Sequence, residues 1–444
     1  LTSCEEIINW IILKKSNLEG LIMKVRSLIL AMVTGVYLLG NSVFAPLGTP
    51  LHNYNNDVYG LGMGDTGISD LYRINCNQDN PSLLVTANNV TLSSAINKGY
   101  YWYENDTDRY RDDALYLPYF TLTVPIKNHR VGISMSSLYS GNLYTSKSDI
   151  NFVAGDTLVY DEIVRKTEDI FSTKLHYAIK SRYLNAGVSL IYYFGNQVNY
   201  WSLDYDDSSF TDTKYEYEKN YSGVGYKLGV SRIIGDFSLG ASYEPSTKLN
   251  GDTVFRYNFG NEEDTLSFNE DLFEIPENAN LGLTYQFSNT LKLSLEGNFI
   301  FWSKSDREYE DEFGNLGTYE DSWRIGTGLS YDPVSGYGKW YERIPFRLGG
   351  SYRLLPFKNG GEDIYEMALS TGSTIQLDSP GRKLDFALRY IQRGNSDNSG
   401  YRDESLQLVI GVTGFDIFQK RPKRTKEREI PKVDPGMGVR EDTQ

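Results

Sequence analysis

Few residues of this chain have the types and spacing that chemistry needs. Gly60 to Asp70 reads GLGMGDTGISD, and Gly62, Gly64 and Gly67 fall at the G-x-G-x-x-G spacing that cradles dinucleotide phosphates. That use requires a strand before the glycines and a helix after them. Here the coil-like PLGTPLHNYNNDVY precedes them, and only alternating segments follow. The glycines are better suited to a tightly folded backbone where side-chain volume is limiting. His52, His129 and His176 are the only histidines, and none joins a Ser/His/Asp or two-carboxylate constellation. Of the two cysteines, Cys4 lies in a stretch expected to precede the mature chain, which leaves Cys76 without a partner. No intramolecular disulfide and no cysteine metal site is expected, and the chain reads as a non-enzyme without a cofactor or metal.

A second set of candidates is charged. Lys292, Arg324, Arg347, Arg353 and Arg389, with Glu296, Glu366 and Asp385, are predicted to share the polar face of alternating segments. Such cations can meet the carboxylate head of a ligand, or pair with neighbouring acids and fill space. Both readings stay open at the level of spacing.

These residues must be positioned by elements, and composition says which. The chain has 444 residues, 40% of them hydrophobic, with 35 Tyr, 6 Trp and a formal net charge of -14. The acidity argues against nucleic acid as a partner. Met23 to Ala45 carries a basic start at Lys24 and Arg26, an apolar run from Leu28 to Leu39 and the small-residue end Val43-Phe44-Ala45. This is the pattern of a secretory signal peptide, and the run is shorter than the ~20 residues a membrane helix needs. The expected organisation is an upstream extension over 1–22, a signal peptide over 23–45, an N-terminal segment over 46–88, a strand-rich body over 89–415 and a disordered periplasmic tail over 416–444. The tail, QKRPKRTKEREIPKVDPGMGVREDTQ after Phe418, is charge-rich and contains three prolines.

From about Val90 the pattern has period two, which means strands. In TLKLSLEGNFIFWS, Leu291, Leu293, Leu295, Phe299 and Phe301 fall on one face, and Lys292, Ser294, Glu296 and Asn298 on the other. Fourteen such segments are predicted, near 90–102, 114–126, 130–143, 163–180, 183–202, 214–233, 236–247, 275–287, 290–303, 318–331, 343–356, 362–377, 382–393 and 402–413. Their polar faces are rich in Gly and Ser, as at Gly223, Gly225, Gly229 and Ser231, which suits a crowded lumen better than an open surface. Short connections such as KNHR, KSRY, IGDF and SNT alternate with long acidic ones at 103–113, 204–214, 248–274 and 303–315. Short periplasmic turns and long outer loops are the outer-membrane barrel pattern. The link at 332–342 is long where a short turn is due. Within the N-terminal segment, Asn80-Pro81-Ser82 predicts an N-cap followed by a short helix through Val85.

These stretches resemble the long-chain fatty acid transporter (FadL) family and its PorV-type relatives. YGLGMGDTGISD followed by NQDNPSLL is similar to the family's glycine-rich segment and Asn-Pro motif. EIPENANLGLTYQFSNTLKLSLEGNFIFWS matches its hairpin at Pro276, Gly282 and Trp302-Ser303, and RLGGSYR and LDFALRY look like its last strands. The chain departs from the motif at Ser82, where alanine is usual, and in LYRINCNQD before it. The resemblance implies an all-β, transmembrane antiparallel barrel of about fourteen strands with an N-terminal hatch inside. It implies an outer-membrane channel for hydrophobic small molecules, fatty-acid-like or aromatic, in contact with outer-membrane lipid. Gly60, Gly62, Met63, Gly64, Gly67, Asn80, Pro81 and Ser82 would form the gate. The alternatives are a PorV-like barrel that docks secreted or periplasmic proteins, and a structural or passive porin. An apolar cavity above the hatch would favour the first, a lumen sealed by side chains the second, and a continuous water-filled lumen the third.

Overall fold

In the computed structural model, which describes residues 42, 44, 51–53, 57–105, 109–153, 156–206, 212–259, 262–305, 308–310, 316–333, 344–377 and 382–414, antiparallel strands pair around a closed ring. The expected extension, most of the signal segment and the C-terminal tail lie outside the described residues. Of the segment expected to be removed on export, Ser42 and Phe44 are described, and both are buried.

In chain order the wall strands are β1 (Thr91–Glu104), β2 (Arg109–Tyr116, resuming at Tyr119–Ile126), β3 (His129–Val153), β4 (Asp156–Ile179), β5 (Asn185–Tyr205), β6 (Thr213–Ile234) and β7 (Phe237–Glu244, then Thr247–Phe259). The ring continues through β8 (Glu262–Ile275, then Asn278–Gln286), β9 (Leu291–Ile300), β10 (Ser322–Tyr331), β11 (Phe346–Asn359), β12 (Glu362–Gln376), β13 (Lys383–Arg393) and β14 (Arg402–Thr413). Closure is made by β14 on β1, from Ser93 opposite Thr413 to Glu104 opposite Arg402. Fourteen strands thus leave no open edge at the level of that ladder, as hydrocarbon demands of backbone groups that can find no water.

The alternation is turned inside out relative to a water-soluble sheet. Along β9 and β10, Leu295, Phe299, Ile325 and Leu329 are exposed, while Lys292, Glu296, Asn298 and Arg324 are buried. The same holds at Leu388, Tyr390, Leu408 and Ile410 against Asp385 and Gln407. Aliphatic and aromatic side chains outside with charges inside fit a lipid-embedded wall, so the chain is an outer-membrane barrel.

The wall is not of even height. β3 and β4 run for 25 and 24 residues, whereas β13 has 11. Since about 10 residues cross a bilayer, the strands from β3 to β8 rise beyond it on the long-loop side. This corrects the sequence reading at 248–274, expected to be a link: Thr247–Phe259 and Glu262–Ile275 pair as the upper halves of β7 and β8. Residues Arg109–Tyr116, read largely as loop, likewise pair with Asn97–Glu104. In both places the alternation fades because neither face meets lipid. Of the long link at 332–342, only Asp332 and Pro333 are described.

Inside the ring lie residues 57–88, nearly all buried, with one turn of α-helix (Val58–Leu61) and a 3-10 helix (Pro81–Thr86). A two-residue strand, Leu51–His52, precedes them and pairs with Ser140 and Tyr139 of β3.

Candidate functional site: the lumen plug and the break in the wall

The inner segment begins at a cap. Asp57 precedes the helical turn and accepts from the Gly60 amide at 3.0 Å. The same carboxylate takes Nη2 of Arg73 at 2.9 Å and the Cys76 amide at 3.1 Å. Burial alone would raise the Asp57 pKa, but the Arg73 guanidinium outweighs it and holds the group at about 2. Arg73 also binds Asp70 at 3.0 Å, and Asp70 binds Lys292 of β9 at 3.3 Å. The Tyr59 ring has the guanidinium carbons of Arg73 and Arg347 at 4.1 and 4.2 Å from its centroid. Its hydroxyl donates to Asp332.

The glycine cluster follows. Gly64 and Asp65 both have positive φ, 70° and 62°, and the bend presses Met63-Gly64 onto the wall. A Cβ on Gly64 would stand 2.3 Å from the Thr327 carbonyl, and one on Gly349 of β11 would stand 2.1 Å from the Gly64 nitrogen. Wall and inner segment therefore meet backbone to backbone. Past the bend, the amides of Gly67 and Ile68 donate to Glu296 at 2.8 and 3.0 Å, and Glu296 also accepts from Arg324 at 2.7 Å. Gly62 faces Gly372 of β12.

Asn80 caps the 3-10 helix, accepting from the Ser82 amide at 3.1 Å, with Pro81 at its first position. Its amide group donates to Ile68 and to Val230 of β6 at 2.9 and 3.1 Å, and the Ser82 hydroxyl reaches Ser231 at 2.8 Å. Asp79 pairs with Lys227 at 3.0 Å, and Lys227 with Glu244 at 2.7 Å.

The candidate ligand cations face inward and each has an acid beside it. Arg324 meets Glu296 at 2.7 Å, Arg347 meets Asp385 at 3.5 Å, Arg353 meets Glu366 at 3.9 Å and Arg389 meets Asp65 at 3.5 Å. Three of these pairs join wall strands, and Arg389–Asp65 ties the wall to the inner segment. His176 lies between the hydroxyls of Ser134 and Ser189 at 2.7 and 2.6 Å, a packed core position. Burial raises the Cys76 thiol to about 12, which leaves it inert. No cluster of three or more His, Cys, Asp or Glu suited to a metal occurs among the described residues.

Two features were not read from the sequence. Above the inner segment, Tyr139, Phe273 and Trp302 meet edge to face at 5.9 to 6.3 Å, with Tyr319 5.3 Å from Trp302. Ile170, Ile191, Leu249 and Ile300 pack on them, so this apolar region is filled by the protein's own side chains. Beside it a polar cavity of about 70 Å³ is lined by His52, Asp65, Asn97, Arg353, Glu366 and Arg389, among others.

The second feature is a break in the wall. β2 is interrupted at Leu117-Pro118, and β3 carries a bulge between Ser137 and Tyr139. Below the break, Tyr119–Ile126 pairs with His129–Ser136. Above it, among the described residues, Arg109–Tyr116 has no ladder to β3, and the edge of β3 is taken instead by Leu51–His52. Asn53 donates from its amide to the Leu138 carbonyl at 2.8 Å and from its side chain to the Ser137 hydroxyl at 3.0 Å. An apolar pocket lies at this break, lined by Leu117, Phe120, Met135 and Phe171 with Tyr119 and Ser136. Pro118, which cannot donate to a ladder, was the one sequence signal for it.

A family model described as BamG matches residues 41–422. No curated protein matches the chain. Among solved structures, a FadL homologue from Pseudomonas aeruginosa aligns with a TM-score of 0.57 at 15% identity, covering 82% of this chain and 99% of that one. The Pseudomonas putida toluene transporter TodX aligns at 0.54 with 14% identity over 82% and 98%, and the CymD monoaromatic hydrocarbon channel at 0.53 with 15% over 82% and 98%. Identities this low carry the fold, and the fold is the FadL-type barrel.

Proposed function

The chain belongs to the BamG family, and from that premise and the barrel's geometry we propose that it is a plugged outer-membrane channel for apolar small molecules, fatty-acid-like or aromatic. Residues 57–88 act as the hatch; Gly62, Met63, Gly64, Gly67, Asn80, Pro81 and Ser82 contact the wall, and Gly60 lies in the helical turn that Asp57 caps. The observation that carries the reading is the break between β2 and β3, where an apolar pocket adjoins missing wall pairing. A ligand taken up from the long-loop side displaces the rings around Tyr139 and Trp302, which otherwise fill this region, and leaves sideways without crossing the charged plug. The toluene transporter and the aromatic hydrocarbon channel of the same fold support this choice of ligand class.

The test is uptake of a labelled long-chain fatty acid and of a labelled monoaromatic into vesicles. Full-length protein should transport at least one of them faster than protein-free vesicles. Equal rates with and without protein would remove the reading.

A second reading, a barrel that docks secreted or periplasmic proteins, is favoured by the filled interior. The apolar region is closed by side chains, and the cavity beside it is small and polar. Stoichiometric co-purification with one such protein, together with absent uptake, would replace the first reading by the second.

A further inference from the structure

The cations at the two ends of the barrel are treated differently. At the long-loop end several have acids: Arg256 has Glu216 and Glu218 at 2.5 and 3.0 Å, Lys304 has Glu277 at 2.5 Å and Lys358 has Glu320 at 2.7 Å. At the short-turn end, Lys127 of the β2–β3 turn and Lys180 and Arg182 of the β4–β5 turn are all exposed. Among the described residues none of the three makes an ion pair. The turns are held side by side, since the Lys180 amide donates to the Asn128 carbonyl at 2.8 Å. Neither turn contains an acid; the next short turn along the chain, between β6 and β7, carries Asp236.

Immediately adjoining these cations the wall is apolar and open to lipid. Ile126, Tyr177, Ile179, Tyr183 and Leu184 are exposed, Tyr183 at 71%. The Tyr177 hydroxyl lies 2.7 Å from Nδ1 of His129, so a ring reaching into the apolar belt ends on the polar rim. Long cationic side chains at such a boundary extend toward headgroups while their stems stay on apolar surface. We propose that Lys127, Lys180 and Arg182, framed by Tyr177 and Tyr183, form a site for an anionic phospholipid headgroup in the periplasmic leaflet. The apolar frame decides the occupant: an acidic periplasmic protein would match the charges but leave these side chains without a counterpart. The site is separate from the hatch and the wall break, and its test does not depend on transport.

The test uses the full-length folded protein in detergent, mixed with equal amounts of phosphatidylglycerol and phosphatidylethanolamine, with retained lipid counted by native mass spectrometry. Wild-type protein should retain phosphatidylglycerol in excess, and raising salt should erase the excess. Lys127→Ser, Lys180→Ser and Arg182→Ser together should lower it at least about fivefold, while Lys304→Ser at the opposite end leaves it unchanged. Heat-dependent gel mobility checks that each variant is folded; if the triple variant is not, the single Arg182→Ser variant and the wild-type salt titration decide. Equal retention of the two lipids by wild type, or an excess insensitive to both salt and substitution, would overturn the site. So would binding of polyglutamate without any lipid preference, which would assign the patch to an acidic protein.

Discussion

Single residues decide how firmly the inner segment is held. Asp57 gathers a helix cap, Arg73 and the Cys76 amide on one buried carboxylate. Breaking a buried pair from one side leaves the other charge uncompensated, at about 3 kcal/mol. Asp57→Asn should therefore speed proteolysis of the inner segment while the barrel keeps its heat-dependent gel mobility. The folded-state pKa of about 2 lies below the ordinary carboxylate value, so this contribution is full above about pH 4 and is lost as pH falls toward 2. In the Asn variant that acid dependence should shrink. Steric residues make a second contrast. Gly64→Ala should displace the plug, since its Cβ would meet backbone at 2.3 Å, whereas Gly235→Ala, with nothing within 4 Å, should cost only the left-handed backbone strain of about 1 kcal/mol. Protease protection of the plug separates the two. Much of this scale was legible: period two put Lys292, Arg324 and Arg347 on the inner face, and Asn80-Pro81 announced its cap. Their partners were not, because alternation names a face and leaves the register unstated.

At the scale of elements, the segment Leu51–Asn53 matters more than its length suggests. It occupies the edge of β3 where β2 has left it, and any sideways exit must pass that place. Asn53→Cys with Ser137→Cys, whose native side chains meet at 3.0 Å, should form a disulfide that stops uptake until a reductant is added. Cys76, buried and protonated, does not interfere. Uptake unaffected by the oxidised pair would show that this edge does not open. All fourteen strands were readable where they cross lipid, because one face there must be apolar. Their upward extensions were not, since Thr265 to Phe268 is exposed on both faces and carries no alternation to read. The break in β2 was missed for a related reason: apolar residues continue through Leu117-Pro118, where Pro118 is the one mark of the interruption that the lost ladder shows.

For the molecule as a whole, the plug is fitted to the wall all the way round. Leu84 approaches Gly132 of β3, Pro81 meets Gly187 and Gly229 of β5 and β6, Ile68 meets Gly240 and Gly282 of β7 and β8, and Val58 meets Gly411 of β14. A segment that touches the first and last thirds of the sequence, inside a ring sealed by β14 on β1, is enclosed like a ship in a bottle. We predict an order of assembly: the N-terminal segment, made first, is seated before the last strand zips to the first. A plug peptide spanning 46–88 should then restore the seal of a plug-deleted barrel when co-expressed, and fail when added to barrels already closed, with ion conductance as the readout. On this view a faulty plug harms the cell earlier than a leak would, by stalling the barrel half-built on the machinery that inserts it.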